Sequence, residues 1–428
     1  MAIRWTEMAP CVFNIANYRI VYPEGEGELY GAALNVQKAI KVKSGAEISI
    51  ASDLSPRRSG KREILIGNTN RELGVTDLSG KDVIFTELDD GSIAIIGTSN
   101  YNVLVGADKF ADSYVNEDGS LNAELRLTVD KVAEKGTKIK VMSFNVLGWT
   151  ADRTDVYVGD TYYDVLDCNE DRMLRAEAIV SIISNESPDS FGLQEFNIEW
   201  AKLADNGSRK WNYSSSTVYA PKLEKTVFAN LPGYAAVGMA NENPVFGYNP
   251  IFYRIDTWEC IEYGTKWLSP TPDVQFSEFE SSAYDDQSRM VTYAVLKHKV
   301  TGETYVHYNT HLTIDRTILG KQIDALRDMI DATSKGRRYV LTGDMNINSA
   351  EWSEYDVIAS YWNDARLCAD VSTDRAEKMI DYCLVSEGVY VESFKNMTEV
   401  KIKSEWKSGD ATYYVSDHHP IYAEVYLY

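Results

Sequence analysis

Asn145, Glu195, His311, Asp344, Asn346, Asp381, Asp417 and His418 share one property: each sits at or just past the end of an apolar, β-rich run. The runs occupy 139–144, 189–194, 304–310, 338–343, 379–380 and 412–416. Nothing else in the chain constrains its fold as tightly. A strand bundle can bring residues that are distant in sequence to one edge, so this pattern predicts a multi-stranded body with its chemistry at that edge. Oxygen ligands, two imidazoles and two amides meeting there suit a metal-assisted attack on phosphorus.

The 428 residues leave room for two or three domains. Over 1–135 the pattern alternates. Residues 29–42 have helical spacing and stop at Ser44-Gly45, and β-like runs follow at 47–51, 63–67, 83–87 and 92–97. Asp89-Asp90-Gly91 reads as a hairpin turn between the last two, and 103–114 reads as a closing helix. This predicts a small α/β accessory domain. The polar stretch 129–138 reads as a linker, and a second domain, 136–428, follows with helices at 175–185 and 320–332. Residues 148–171 and 199–226, rich in aromatic, Asn, Ser and Asp residues, read as surface loops that shape access to a site.

Composition narrows the function classes. A net charge of −21 and a pI of about 4.7 repel phosphate-rich polymers at long range, so nucleic acid is the less expected partner. Five cysteines, odd in number and without a CxxC, exclude a disulfide framework and argue against structural zinc. No membrane-spanning segment is expected, since no apolar stretch approaches the roughly 20 residues needed. Met1–Pro10 carries no signal-peptide pattern, although a processed chain would read the same. The 28 tyrosines and nine tryptophans suit a carbohydrate-facing protein in a secreted or cell-surface setting.

Each motif is modest alone. Asn145 in VMSFNV and Glu195 in GLQEF could be an amide and a carboxylate beside a hard cation, or merely turn and strand-end residues. In YVHYNTHL, His307 reads as a strand residue bonded to a neighbour, while His311 could donate to a phosphate oxygen. In YVLTGDMN, Gly343 lets the chain turn, so that Asp344 and Asn346 project together, the first to orient a water and the second to bond developing charge. Asp381, inside the apolar MIDYCLV, needs a partner, and His418 of SDHHP can supply it. Asp417 is then free to face a metal, and His419 packs or points to solvent.

In this order, FN, LQE, TH, GDMN, IDY and SDHHP resemble the endonuclease/exonuclease/phosphatase superfamily, the deoxyribonuclease-I-like fold, over residues 139–428. The resemblance implies a four-layered α/β sandwich with two packed, mostly antiparallel sheets and flanking helices. It implies Mg²⁺ or Mn²⁺ and hydrolysis of a phosphoester substrate by in-line water attack. It assigns metal binding to Glu195, assisted by Asn145 and Asp417. Asp344 would orient or deprotonate the water, Asn346 bind the phosphoryl group, and His311 and His418 stabilise the transition state, with Asp381 orienting His418. Arg289 in QSRMVTYAVL matches a family arginine and would bind phosphate. The first domain resembles the accessory α/β domain of bacterial α-glucuronidases and hexosaminidases, which implies a possible glycan partner there. Signatures of inositol-polyphosphate phosphatases are missing: Ile347-Asn348 follows GDMN where those have Tyr-Arg. The expectation is a divalent-metal-dependent phosphodiesterase acting on a small, sugar-linked or lipid-linked phosphodiester. A nuclease, or a glycan-binding protein with a degenerate phosphoesterase domain, are the alternatives.

Overall fold

A computed structural model of the chain describes residues 14–71, 78–121, 128–129, 131–148, 155–158, 161–164, 169–196, 231, 233–238, 248–280, 288–373, 379–398, 401–403 and 412–428. The loop expected at 199–226 lies outside the described residues, as does half of that at 148–171, whose described part is a strand hairpin and the start of a helix and not an irregular loop. The chain divides into two compact units. One comprises Met1–Lys135, Leu367–Asp370 and Tyr428, and the other Gly136–Arg366 and Val371–Leu427.

The first unit holds β1 (Tyr18–Tyr22), β2 (Ile50–Ser52), β3 (Arg62–Ile66), β4 (Val83–Glu87), β5 (Ile93–Gly97) and β6 (Thr128–Val129) in one sheet, order β2-β1-β3-β5-β4-β6. The strands β2, β1, β3 and β5 run parallel, with α1 (Gly27–Ser44) as the crossover from β1 to β2, and α2 (Asn100–Tyr114) follows β5. Helix α1 stops where the sequence predicts, because Gly45 takes φ 70° and donates its N–H to Lys41 O. Asp89–Gly91 does join an antiparallel pair, β4 to β5. Strand β1 goes unread in the sequence, where Arg19 interrupts a short apolar run.

The second unit is built on two sheets. The first contains β7 (Lys138–Asn145), β10 (Ser190–Gln194), β11 (Tyr234–Val237), β12 (Ile251–Arg254), β18 (Val371–Ser372), β20 (Val389–Asn396) and β23 (Ile421–Leu427), in the order β11-β12-β10-β7-β23-β20-β18. The second contains β13 (Trp258–Trp267), β14 (Met290–His298), β15 (Thr304–His311), β16 (Tyr339–Asp344), β17 (Asn363–Asp364) and β19 (Asp381–Val385), in the order β13-β14-β15-β16-β19-β17. The hairpins β8 (Asp155–Val158) with β9 (Thr161–Asp164), and β21 (Lys401–Lys403) with β22 (Thr412–Tyr414), stand apart. Most pairings are antiparallel; β7 with β10, β15 with β16 and β18 with β20 are parallel.

Strand alternation sorts the side chains into layers. Met142, Phe144, Phe191, Leu193 and Phe252 pack with Ile179 and Ile183 of α3 (Asn169–Glu186). On the second sheet Val306, Tyr308, Leu341 and Leu384 pack under Leu319, Ile323, Leu326 and Ile330 of α4 (Arg316–Ser334), with Ile358 of α5 (Glu354–Tyr361). Helix α4 starts on an Asp315 side chain that accepts from Thr317 N at 2.9 Å. The alternate residues, Ser143, Asn145, Ser190, Gln194, His307, Asn309, Thr342 and Asp344, face the gap between the sheets and are all buried. Helix, sheet, sheet and helix thus follow one another, and the middle of the stack is polar.

Candidate active site

The polar gap opens at one edge. The parallel pair β7/β10 ends there with Asn145 beside Gln194, and the parallel pair β15/β16 ends there with His311 beside Asp344. Strand β19 runs the other way, so Asp381 is its first residue, paired with Asp344. This corrects the strand-end reading for Asp381: it begins a strand at the shared edge. Asp417 and His418 lie in the bend before β23, whose first residue pairs with Ser143.

Gly343 does not turn the chain. It lies within β16, and a Cβ there would sit 2.2 Å from Thr310 O on β15. Glycine is needed for this close approach, and the turn follows at Asn346, with φ 51°. Glu195 (φ 54°) and Leu147 (φ 55°) are also left-handed. Such backbone costs on the order of 1–2 kcal/mol for a non-glycine residue, and three instances on one edge are the kind of strain that functional sites hold.

Asp344 is the focus. Its Oδ2 receives Asn145 Nδ2 at 3.0 Å and lies 3.3 Å from His311 Nε2 and 3.6 Å from His418 Nε2. Its Oδ1 accepts from Asn346 N at 2.9 Å. The Asn346 amide donates to Leu312 O at 2.9 Å, tying the turn to the end of β15. Asn145 also donates to Glu195 Oε1 at 3.2 Å, while its Oδ1 accepts from Leu147 N. Glu195 Oε2 accepts from Gly148 N at 2.7 Å. His418 Nδ1 meets Asp381 Oδ2 at 2.8 Å. Asp417 is half-buried, and its carboxylate accepts from Ser416 Oγ at 3.3 Å.

Burial and neighbouring charge set the protonation states. Asp344 is pushed up to about 7, first by burial, with Asp381 adding to the rise and His418 opposing it. Burial works against a charged His418, but the Asp381 and Asp344 carboxylates overcome it and hold the imidazole well above its ordinary value. His311 moves the other way: burial, then the positive charges of Arg289 and His418, keep it neutral. Arg289 is buried and immediately precedes β14. At neutral pH the edge therefore carries an imidazolium, a neutral imidazole and a carboxyl group near its midpoint.

Among the described residues, Asp344, Asp381 and His418 offer ligand atoms within 4.8 Å of one another, and Glu195 joins them through Asn145. The imidazolium of His418 cannot ligate, but the carboxylates that share this edge are the donors that Mg²⁺ and Mn²⁺ prefer, so they fit a hard cation.

Two supports go unread in the sequence. Buried Ser416 donates to Asn145 O at 2.7 Å and accepts from His418 N at 3.2 Å, joining two motifs. Leu147 and Gly148 act through backbone N–H groups, which leave no residue-type signal. His307 behaves as read: its Nδ1 meets Ser190 Oγ at 2.7 Å and its Nε2 meets Thr342 Oγ1 at 2.9 Å. His419 packs tilted against Tyr414, ring centroids 5.0 Å apart.

Residues 142–418 match the endonuclease/exonuclease/phosphatase family. An endonuclease/exonuclease/phosphatase family protein from Bacteroides thetaiotaomicron superposes with a TM-score of 0.52 at 20% identity, over 68% of this chain and 98% of that one. A mannosyl-6-phosphatase of the same organism gives a TM-score of 0.51 at 20% identity, over 67% and 99%. At that identity the likeness is one of fold. No curated protein matches the chain. The family match begins at residue 142, so the accessory-domain resemblance of the first unit rests on its sequence pattern alone.

Proposed function

Since the chain belongs to the endonuclease/exonuclease/phosphatase family and is thereby a phosphoesterase, we propose that it is a divalent-metal-dependent phosphodiesterase acting on a small, sugar-linked or lipid-linked phosphodiester. The observation that carries this reading is the convergence of Asn145, His311 and His418 on Asp344 Oδ2, with Glu195 bonded to the same Asn145 amide.

Glu195, with Asn145 and Asp417 beside it, would hold Mg²⁺ or Mn²⁺. When bound, the cation supplies positive charge to the phosphoryl oxygens. The chain's own groups do the rest. Asp344 orients the attacking water and takes its proton, a role suited to a carboxylate whose midpoint is near neutrality. The His418 imidazolium, fixed by Asp381, faces the negative charge that develops on the phosphoryl group. Neutral His311 donates from Nε2, burial and the Arg289 charge keep that ring uncharged, and Asn346 offers an amide to the phosphoryl oxygens. The net charge of −21 supports a small substrate over a nucleic acid.

The test is turnover of bis-p-nitrophenyl phosphate and p-nitrophenyl phosphate before and after EDTA, with Mg²⁺ or Mn²⁺ added back. Loss on chelation, restoration by either cation and preference for the diester are expected. Full activity in metal-stripped protein would sink the metal dependence. Preference for the monoester would turn the reading to a phosphatase, and efficient degradation of plasmid DNA or RNA at low enzyme concentration would turn it to a nuclease.

A further inference from the structure

Asn309 lies two residues before His311 on β15, faces the same gap and is fully buried. Its amide spans that gap. Nδ2 donates to Leu193 O at 2.8 Å and to Pro250 O at 3.0 Å, both carbonyls of the facing sheet. Oδ1 accepts from Gln194 Nε2 at 2.6 Å, again across the gap, and from Thr342 Oγ1 at 3.2 Å on the neighbouring strand β16. Two donors and two acceptor sites are thus all engaged, three of them with the opposite sheet.

The opposite sheet is shaped to receive this amide. Gly192 lies between Ser190 and Gln194 on the inward face of β10, and a Cβ there would sit 2.3 Å from Asn309 Cγ and Oδ1 and 2.7 Å from Thr342 Oγ1. The glycine makes room for a polar amide where two sheets would otherwise interlock apolar side chains.

The clamp lies directly behind the site. Gln194, held by Asn309 and by Ser143 Oγ at 3.0 Å, immediately precedes left-handed Glu195. Thr342, on the other side, lies two residues before Asp344 on β16. The bond from Asn145 to Asp344 crosses the same gap at the open edge.

We propose that Asn309 is a positioning residue of this enzyme: its amide sets the separation of the two sheets, and so the distance between the Asn145–Glu195 half of the site and the Asp344–His311 half. It touches no reacting group and acts through Gln194 and Thr342. The inference rests on the phosphoesterase reading of the site only for its kinetic consequence.

The test pairs a disruption with a repacking. Asn309→Ala removes the clamp and leaves a hole, and Asn309→Leu, whose branched side chain has the same number of heavy atoms, refills it without the four bonds. Asn309→Leu should therefore unfold closer to the wild-type temperature than Asn309→Ala does. Its kcat on the chromogenic diester should fall roughly tenfold to a hundredfold with KM changed only a few-fold, since a misplacement of about 1 Å can cost a hundredfold in rate. In its crystal structure the Asn145 Nδ2–Asp344 Oδ2 distance should leave hydrogen-bonding range. A stable Asn309→Leu variant with wild-type kcat and an unchanged distance would reduce Asn309 to a packing residue. If the wild type itself turns over no phosphoester with added Mg²⁺ or Mn²⁺, the function reading falls, and the distance measurement alone decides the positioning role.

Discussion

Acid should weaken this fold through His307. The ring is fully buried between the sheets, bonded to Ser190 and Thr342, and burial lowers its pKa from 6.5 to about 3. In the unfolded chain the same imidazole takes a proton near pH 6.5. Between those values the unfolded state binds one more proton than the folded state, so stability rises with pH across the window. The contribution is complete above pH 6.5 and is lost as pH falls toward 3. Each unit corresponds to about 1.4 kcal/mol, so the interval from pH 6.5 to 4.5 removes about 3 kcal/mol. His307→Gln abolishes the titration while keeping a polar side chain. It should lower stability at neutral pH and lose about 3 kcal/mol less than wild type between pH 7.5 and 4.5. Asp344, whose raised pKa acts in the opposite sense, is present in both proteins and cancels in the comparison. Urea unfolding followed by the fluorescence of buried Trp258 and Trp362 measures it. Parallel loss of stability in the two proteins over that interval would refute the buried, neutral assignment of His307.

Asp381→Asn should fold but lose at least two orders of magnitude in kcat, roughly the scale of general acid–base contributions, because His418 loses the carboxylate that fixes and charges it; a near-normal kcat would make Asp381 structural. Asp344→Asn should raise the unfolding midpoint in EDTA at pH 7.5, since an acid whose folded pKa exceeds its unfolded value destabilises the fold above that value, and it should abolish turnover. A lower midpoint would contradict the burial penalty assigned to that carboxylate. Gly343→Ala should cost roughly 3 kcal/mol or more, because the methyl meets the Thr310 carbonyl of a paired strand and cannot be accommodated by a rotamer change. Circular dichroism melting close to that of wild type would show that β15 and β16 can part.

The residues of the site were legible in sequence because they are local punctuation on strands. An apolar run that stops at Asn145, at Glu195 or at Asp344 announces both a strand and where it ends, and the alternation in YVHYNTHL already separates Tyr308 from His307 and Asn309. Helices α1 and α4 were legible for the same reason, from spacing and, for α1, a stop at Gly45, whereas the cap at Asp315 went unread. What the sequence could not state was direction and partner. That Asp381 opens a strand while Asp344 closes one depends on β19 running antiparallel to β16, a pairing chosen by contacts between segments far apart in the chain. Gly343 read as a turn because glycine permits one, whereas the tertiary structure uses it to let two backbones approach. Leu147 and Gly148 contribute backbone hydrogen bonds that any residue type could have offered, and Ser416 contributes a hydroxyl whose partners lie far away in sequence, so their places follow only from the assembled edge. The polar gap is the largest such case. Ser190, Gly192, His307, Asn309 and Thr342 each look like an interruption in an apolar strand, and only the stacking of two sheets turns those interruptions into one continuous hydrogen-bonded layer. Local propensity specifies which side a residue faces, but the burial of a polar group is tolerable only with its partners, and those partners exist only once the fold has formed.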